Sequence, residues 1–306
     1  MELSYYRKKI DVLSASGKDV IDFLNRMSTN DVINIQVNEF RKTFLTSDKG
    51  RIIDLITILN CENEILLITT FGYSDKVLQH LNKYIIMDDV NLQKINESYY
   101  LIQIFGSNLS ETLNNVFEVD IEDENQIIEK NNIIYFIDKR HTNSFNIFVN
   151  DLNIESVNAK LKALKELNET EYNLLRIDKS IPEGPNEFQE NINPKECGLE
   201  DFISYTKGCY IGQEVVARLD AQGKIPKQMI KFETNVSSTL DEGDKIYTED
   251  SNKECGFITS IAQNNGSAIG LGFIRSVNLD FEKEYIIRKD SSESDIKLKI
   301  KKTFQN

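Results

Sequence analysis

All four prolines of this 306-residue chain, Pro182, Pro185, Pro194 and Pro226, fall between positions 182 and 226. Proline breaks a helix or a central strand, so the long regular elements must lie on either side of this window. Gly184, Gly198, Gly208, Gly212 and Gly223 share it, and glycine permits sharp bends and close approach of the backbone to another segment or a ligand. Functional residues are therefore sought here first.

Upstream of the window, strands and helices interleave. Residues 10–13 read as a strand, and Ser16, with Asp19 three residues on, caps a helix carrying Val20, Ile21, Leu24 and Met27. Residues 42–46, 52–59 and 65–70 read as an antiparallel meander, residues 74–84 as a helix, and 90–95, 99–105, 133–137 and 145–149 as further strands. A continuous helical stretch is expected over 157–178. No βαβ unit repeats, so the class is α+β rather than a doubly wound sheet. Downstream, short alternating runs at 229–232, 245–248, 256–261, 268–274, 285–288 and 296–300 predict a small antiparallel barrel. The expected division is residues 1–225 and a C-terminal barrel domain over 226–306.

Charge narrows the partners. Lys and Arg total 36 against 49 for Asp and Glu, a net charge of −13, which argues against direct nucleic-acid or anionic-membrane binding. The opening residues show neither a hydrophobic leader nor an Arg-rich transit pattern, and no apolar run is long enough for a membrane span, so the expectation is cytoplasmic. Cys61, Cys197, Cys209 and Cys255 form no C-x-x-C pair, and His80 and His141 have no ligand spacing, so no metal site or disulfide framework is expected. The acidic stretch 118–129 and the basic end 297–302 read as solvated faces.

Reactive residue types are densest in Lys207-Gly208-Cys209-Tyr210-Ile211-Gly212-Gln213-Glu214-Val215-Val216-Ala217-Arg218, which reads as a glycine-hinged loop entering a helix. Lys207, Arg218 and the helix N-terminus would each stabilise a thiolate at Cys209. The plainer reading makes Cys209 a small buried hydrophobe and pairs Glu214 with Arg218 at i,i+4.

This segment resembles the K-G-C-[FY]-x-G-Q-E-x-x-x-R signature of the YgfZ-type folate-binding proteins, relatives of the glycine-cleavage T-protein, with every fixed position present. The resemblance extends through Phe23-Leu24 to Val32, Leu45-Thr46 to Asp54, Leu175-Arg176 to Pro182, Pro194 to Leu199, Gly256 to Ser260 and Ile269 to Gly272. It implies an aminomethyltransferase-like fold of two α+β subdomains within 1–225 plus the C-terminal barrel, arranged around a central channel for tetrahydrofolate.

As site residues the resemblance implies Cys209 and Lys207 for chemistry, and Asp54, Arg176, Tyr210, Gln213, Glu214 and Arg218 for the cofactor. These side chains are of the types a pterin with a carboxylate tail needs. Asp54 is the first candidate for pterin contact, its plainer role being a turn acceptor at a strand end.

Two functions are implied. One is an accessory factor that supports iron–sulfur cluster assembly or repair in client enzymes, including tRNA-modifying ones, through folate, a reactive Cys209 and transient contacts with assembly or client proteins. It is expected to be a monomer, and turnover of its own, if any, would be a folate-dependent one-carbon transfer. The alternative is an aminomethyltransferase that passes a one-carbon unit from a lipoylated carrier to tetrahydrofolate. Departures favour the first: the adjacent Asp pair of T-proteins is reduced to Asp54-Leu55, and the stretch His141 to Asn146 lacks their glycines and second glutamate.

Overall fold

The computed structural model describes residues 3–107, 109–235, 240–250, 253–264, 266–288 and 295–303. By contacts the chain divides into two units, residues 1–168 with 201–213, and residues 169–200 with 214–306.

The first unit contains β1 (Ser4–Ser16), α1 (Val20–Met27), β2 (Glu39–Thr46), β3 (Ile52–Asn60), β4 (Ile65–Thr70), α2 (Ser74–Asn82), β5 (Asn91–Lys94), β6 (Tyr99–Phe105), α3 (Leu109–Phe117), β7 (Ile127–Lys130), β8 (Ile133–Asp138), β9 (Ser144–Asn150), α4 (Ile154–Leu161) and β10 (Lys165–Glu166). The strands form one mixed sheet in the order β2-β3-β4-β1-β6-β9-β8-β7, with β5 and β10 also paired to β1. The sheet curls until its two outer strands meet. Phe40 N donates to Asn125 O at 2.7 Å and Ile127 N to Asn38 O at 2.8 Å, so the open edges are joined at one end.

β1 is three times longer than the 10–13 expectation because it pairs with β4 on one side and β6 on the other, and that pairing overrides its Arg7-Lys8-Lys9 run. α1 begins at Val20 after Asp19, without a side-chain cap, so Ser16 ends β1 rather than capping the helix. The single helix expected over 157–178 is two. Leu167 N bonds Tyr5 O and β10 pairs in parallel with β1, and this contact pulls residues 165–167 out of helical geometry before α5 (Glu169–Asp178) begins. α3, not anticipated, buries Leu109, Leu113 and Phe117 at helical spacing against β8 and β9.

The second unit holds α5, most of α6 (Gln213–Gln222), and β11 (Lys227–Thr234), β12 (Lys245–Thr248), β13 (Glu254–Asn264), β14 (Ser267–Arg275), β15 (Tyr285–Ile287) and β16 (Ile296–Lys302). These six strands close into a barrel, β11-β14-β13-β12-β15-β16, with β16 pairing back on β11. Gly270 on β14 is needed there, since a Cβ would lie 2.1 Å from the Phe232 ring. α5 packs on the barrel through Leu174 and Ile177 against Ala262, Ile269 and Leu271. The architecture is the α+β fold with C-terminal barrel that the patterning predicts. No helix of the described residues is long and apolar enough to cross a membrane.

Candidate functional site around the Lys207–Arg218 segment

Of the four cysteines, Cys209 alone is exposed. The others are buried, and burial pushes the thiols of Cys61 to about 12 and Cys255 to about 11, with Cys197 well above its ordinary value. A thiol held that high is not a nucleophile near neutrality. Cys209 is the one thiol presented to a reagent or partner.

The loop that presents it is fastened on both sides. Lys207 Nζ donates to the backbone carbonyls of Asn25 at 2.5 Å, Ser28 at 2.8 Å and Asn30 at 2.6 Å. These oxygens belong to the C-terminal end of α1 and the residues just after it, where a helix leaves carbonyls unpaired and favours a cation. The ammonium therefore completes α1, with all three of its donors engaged, instead of standing free as a thiolate counter-ion. Burial pulls Lys207 down to about 8, opposed by Asp31, while the three carbonyls favour the charged form.

On the other side, Thr46 Oγ1 donates to Ile211 O at 2.6 Å and Ile211 N to Arg26 O at 3.1 Å. Gly212 adopts φ +83°, and a Cβ there would lie 2.5 Å from Ser47 O and 2.8 Å from Thr46 Oγ1. Only glycine fits against the turn between β2 and β3. Gly208, by contrast, has open space where its Cβ would stand.

The remaining expected residues are scattered. Asp54 on β3 is fully buried, and its carboxylate accepts from Thr70 N at 2.9 Å, Thr70 Oγ1 at 2.7 Å and Leu55 N at 2.9 Å. Burial pushes it up to about 6, and the hydrogen bonds oppose that. It fastens β3 to the end of β4. Arg176 on α5 is buried in the second unit, bonded to Glu187 at 3.1 Å and Ser260 at 2.8 Å. Tyr210 is buried, with Lys207 Nζ 5.2 Å from its ring centre. On α6, Gln213 is half-buried while Glu214 and Arg218 are exposed, and no ion pair joins the last two among the described residues. Of the eight residues, then, Lys207, Cys209 and Tyr210 share one loop, and Gln213, Glu214 and Arg218 follow it on α6.

Sequence reasoning missed a buried polar cluster in the first unit. Lys42 Nζ pairs with Asp138 and lies 3.2 Å from His141 Nδ1. Burial alone would raise Asp138, but Lys42 and His141 outweigh it and hold the carboxyl at about 2. With sequence separations of 96 and 99, no local spacing signals this cluster.

Residues 8–135 match the GCVT N-terminal domain family. Across most of its length the chain is similar to a tRNA-modifying protein YgfZ from Hamiltonella defensa, 24% identical over 295 residues that cover 92% of this chain and 85% of the relative. It is also similar to an aminomethyltransferase of Thermosipho melanesiensis, 24% identical over 273 residues, 84% of this chain and 74% of the relative. A mitochondrial iron-sulfur cluster assembly factor IBA57 homolog of Dictyostelium discoideum is 24% identical over 270 residues, 77% and 64% of the two chains. The crystal structure of glycine cleavage system aminomethyltransferase T from Bartonella henselae shares the fold, with a TM-score of 0.82 at 12% identity, covering 98% of this chain and 85% of that one. The domain match over residues 8–135 and the relatives, YgfZ, IBA57 homolog and aminomethyltransferase alike, support a YgfZ/GcvT-type family for this chain.

Proposed function

We propose that this protein is a tetrahydrofolate-binding accessory factor for the assembly or repair of iron–sulfur clusters in client enzymes, with Cys209 as its reactive group. The observation that carries the reading is the presentation of Cys209: one exposed thiol among four, on a loop fastened by Lys207 before it and Gly212 after it. The similarity to proteins named as tRNA-modifying and as an iron-sulfur cluster assembly factor supports it. A cluster normally takes four thiolate-type ligands. Cys209 would supply one, transiently, to a cluster or sulfur species shared with a client protein. Lys207 is the positioning residue of that thiol.

Tetrahydrofolate would supply one-carbon or reducing chemistry when bound. The donor set of α6 fits it: Gln213 and Glu214 offer acceptors for a pterin amino group and ring N–H, and Arg218 a cation for a carboxylate tail. Asp54, Arg176 and Tyr210 are buried and engaged within their own units, so in this reading they shape the surroundings and do not touch the ligand.

The aminomethyltransferase reading is favoured by the relatives that carry that name. Against it, the position after Asp54 is Leu55, and Asp54 itself has its oxygens turned to Thr70 and Leu55. Its neighbours in the sequence, Ile53 and Leu55, supply no second carboxylate for proton handling.

The test pairs two measurements. Calorimetric titration with tetrahydrofolate should give saturable binding that Arg218→Ala weakens and Cys209→Ser leaves intact. In cells lacking the protein, Cys209→Ser should fail to restore the activity of a cluster-dependent client while melting like the wild type. Full restoration by Cys209→Ser, or folate-dependent aminomethyl transfer by the purified protein, would overturn the accessory reading.

A further inference from the structure

The two edges of the ten-stranded sheet are bonded at Asn38 and Phe40 and separate beyond that point. A solvent-open recess lies where they part, and its enclosed end admits only a small group. Phe40, Arg41, Lys42, Lys139, Arg140 and Phe202 line it.

Arg41, Lys42, Lys139 and Arg140 all border this recess, in a chain of net charge −13. The lining carboxylates do not balance them. Asp138 is taken by Lys42, and Glu124 is shared between Lys139 at 3.7 Å and Arg140 at 3.3 Å. Arg41 meets Glu39 only loosely, at 3.6 Å, and its Nε is buried without a hydrogen-bond partner among the described residues. A buried guanidinium donor without an acceptor is an unmet demand for an anion. Phe40 and Phe202, both buried, keep water from the walls and strengthen any charge interaction made there.

We propose that this recess is a binding site for an oxyanion, a phosphate or a carboxylate group, held by the Arg41 and Arg140 guanidinium groups with Lys139 adding charge. The enclosed end is too small for a fused ring, so the anionic group alone enters and anything attached to it stays outside. The inference does not rest on the folate reading, because none of the α6 residues takes part.

Calorimetric titration of the full chain at constant ionic strength, with inorganic phosphate in one arm and triglutamate in the other, tests the site. Saturable binding of either anion is expected, weakened about tenfold or more in Arg41→Gln and in Arg140→Gln, as loss of one charge-assisted hydrogen bond requires. Arg140 is half-exposed, so its variant stays folded even where Arg41→Gln does not, and thermal melts establish this. Binding of phosphate alone assigns the site to a free or terminal phosphoryl group, and binding of triglutamate alone to the carboxylate chain of a larger ligand. Saturation by neither anion, or affinity unchanged in Arg140→Gln, overturns the proposal.

Discussion

Replacing Lys207 by Met keeps the length of the side chain and removes its charge and donors. Three hydrogen bonds from an ammonium to carbonyl oxygens, at about 2 kcal/mol each for a charged donor, contribute roughly 6 kcal/mol. Against this stands the cost of burying the ammonium. Burial, without those bonds, pulls it down to about 8, which corresponds to about 3 kcal/mol of lost hydration. The difference leaves Lys207 stabilising the fold by about 3 kcal/mol, and the variant should lose about that much in urea unfolding at pH 7. Because Lys207 fastens the loop that carries Cys209, the thiol should also change its rate of maleimide modification. A variant within about 0.5 kcal/mol of the wild type, the size expected of a surface change, with unaltered maleimide kinetics, would refute the view that this lysine is a tether.

The two glycines of the loop should behave oppositely. Gly212→Ala meets a left-handed φ and Ser47 O at 2.5 Å and should cost about 2 kcal/mol or more, whereas Gly208→Ala enters open space and should shift the melting temperature by no more than a surface substitution does. Thiol titration should find one fast-reacting cysteine in the native protein and all four after denaturation, and Cys209→Ser should remove the fast one. Burial beside Lys83 and Lys76 pushes His80 down to about 4, so its neutral form is the one the fold accepts. Its contribution is complete above the unfolded value of about 6.5 and lost as pH falls through 4, roughly 1–2 kcal/mol after allowance for partial exposure. His80→Gln should flatten stability between pH 6.5 and 4. Asp54 has the opposite sign. Pushed up to about 6, it adds stability that is full below about 3.9 and lost as pH rises through 6, a slope that Asp54→Asn should abolish in urea titrations across that range.

What could be read from the sequence depends on where each partner lies. β16 alternates Ile296-Lys297-Leu298-Lys299-Ile300, and its burial alternates in step, so side-chain pattern alone reveals the strand. β14 and β15 are buried on both faces and show no such alternation, and they are legible instead as short, closely spaced apolar runs. β10 was not legible, because two exposed residues, Lys165 and Glu166, become a strand only through β1, about 160 positions away. In the site, the glycines and the cysteine were visible as residue types, but the partners of Lys207 are backbone carbonyls, which carry no sequence signature. The same blindness hid the Lys42–Asp138–His141 cluster, whose members meet across the curl of the sheet.

Within the Lys207–Gly212 segment, physics separates the residues the fold needs from those it does not. Lys207 is required by the end of α1, Gly212 by the turn after β2, and Ile211 by its bonds to Thr46 and Arg26. Gly208 answers to no such demand: its conformation is open to any residue, and no atom stands within 4 Å of where a side chain would begin. Cys209 next to it is exposed, in a protein that buries its other three thiols. A loop anchored so firmly at its ends and left bare at its centre loses little entropy when something docks there, since the ordering cost has already been met in folding. A small residue beside an exposed thiol also lets a partner's surface approach the sulfur without displacing a side chain. In the proposed role the open space at Gly208 would admit a client to Cys209, and a bulky Gly208→Leu substitution should then impair restoration of a cluster-dependent client while leaving stability and small-reagent modification of the thiol unchanged.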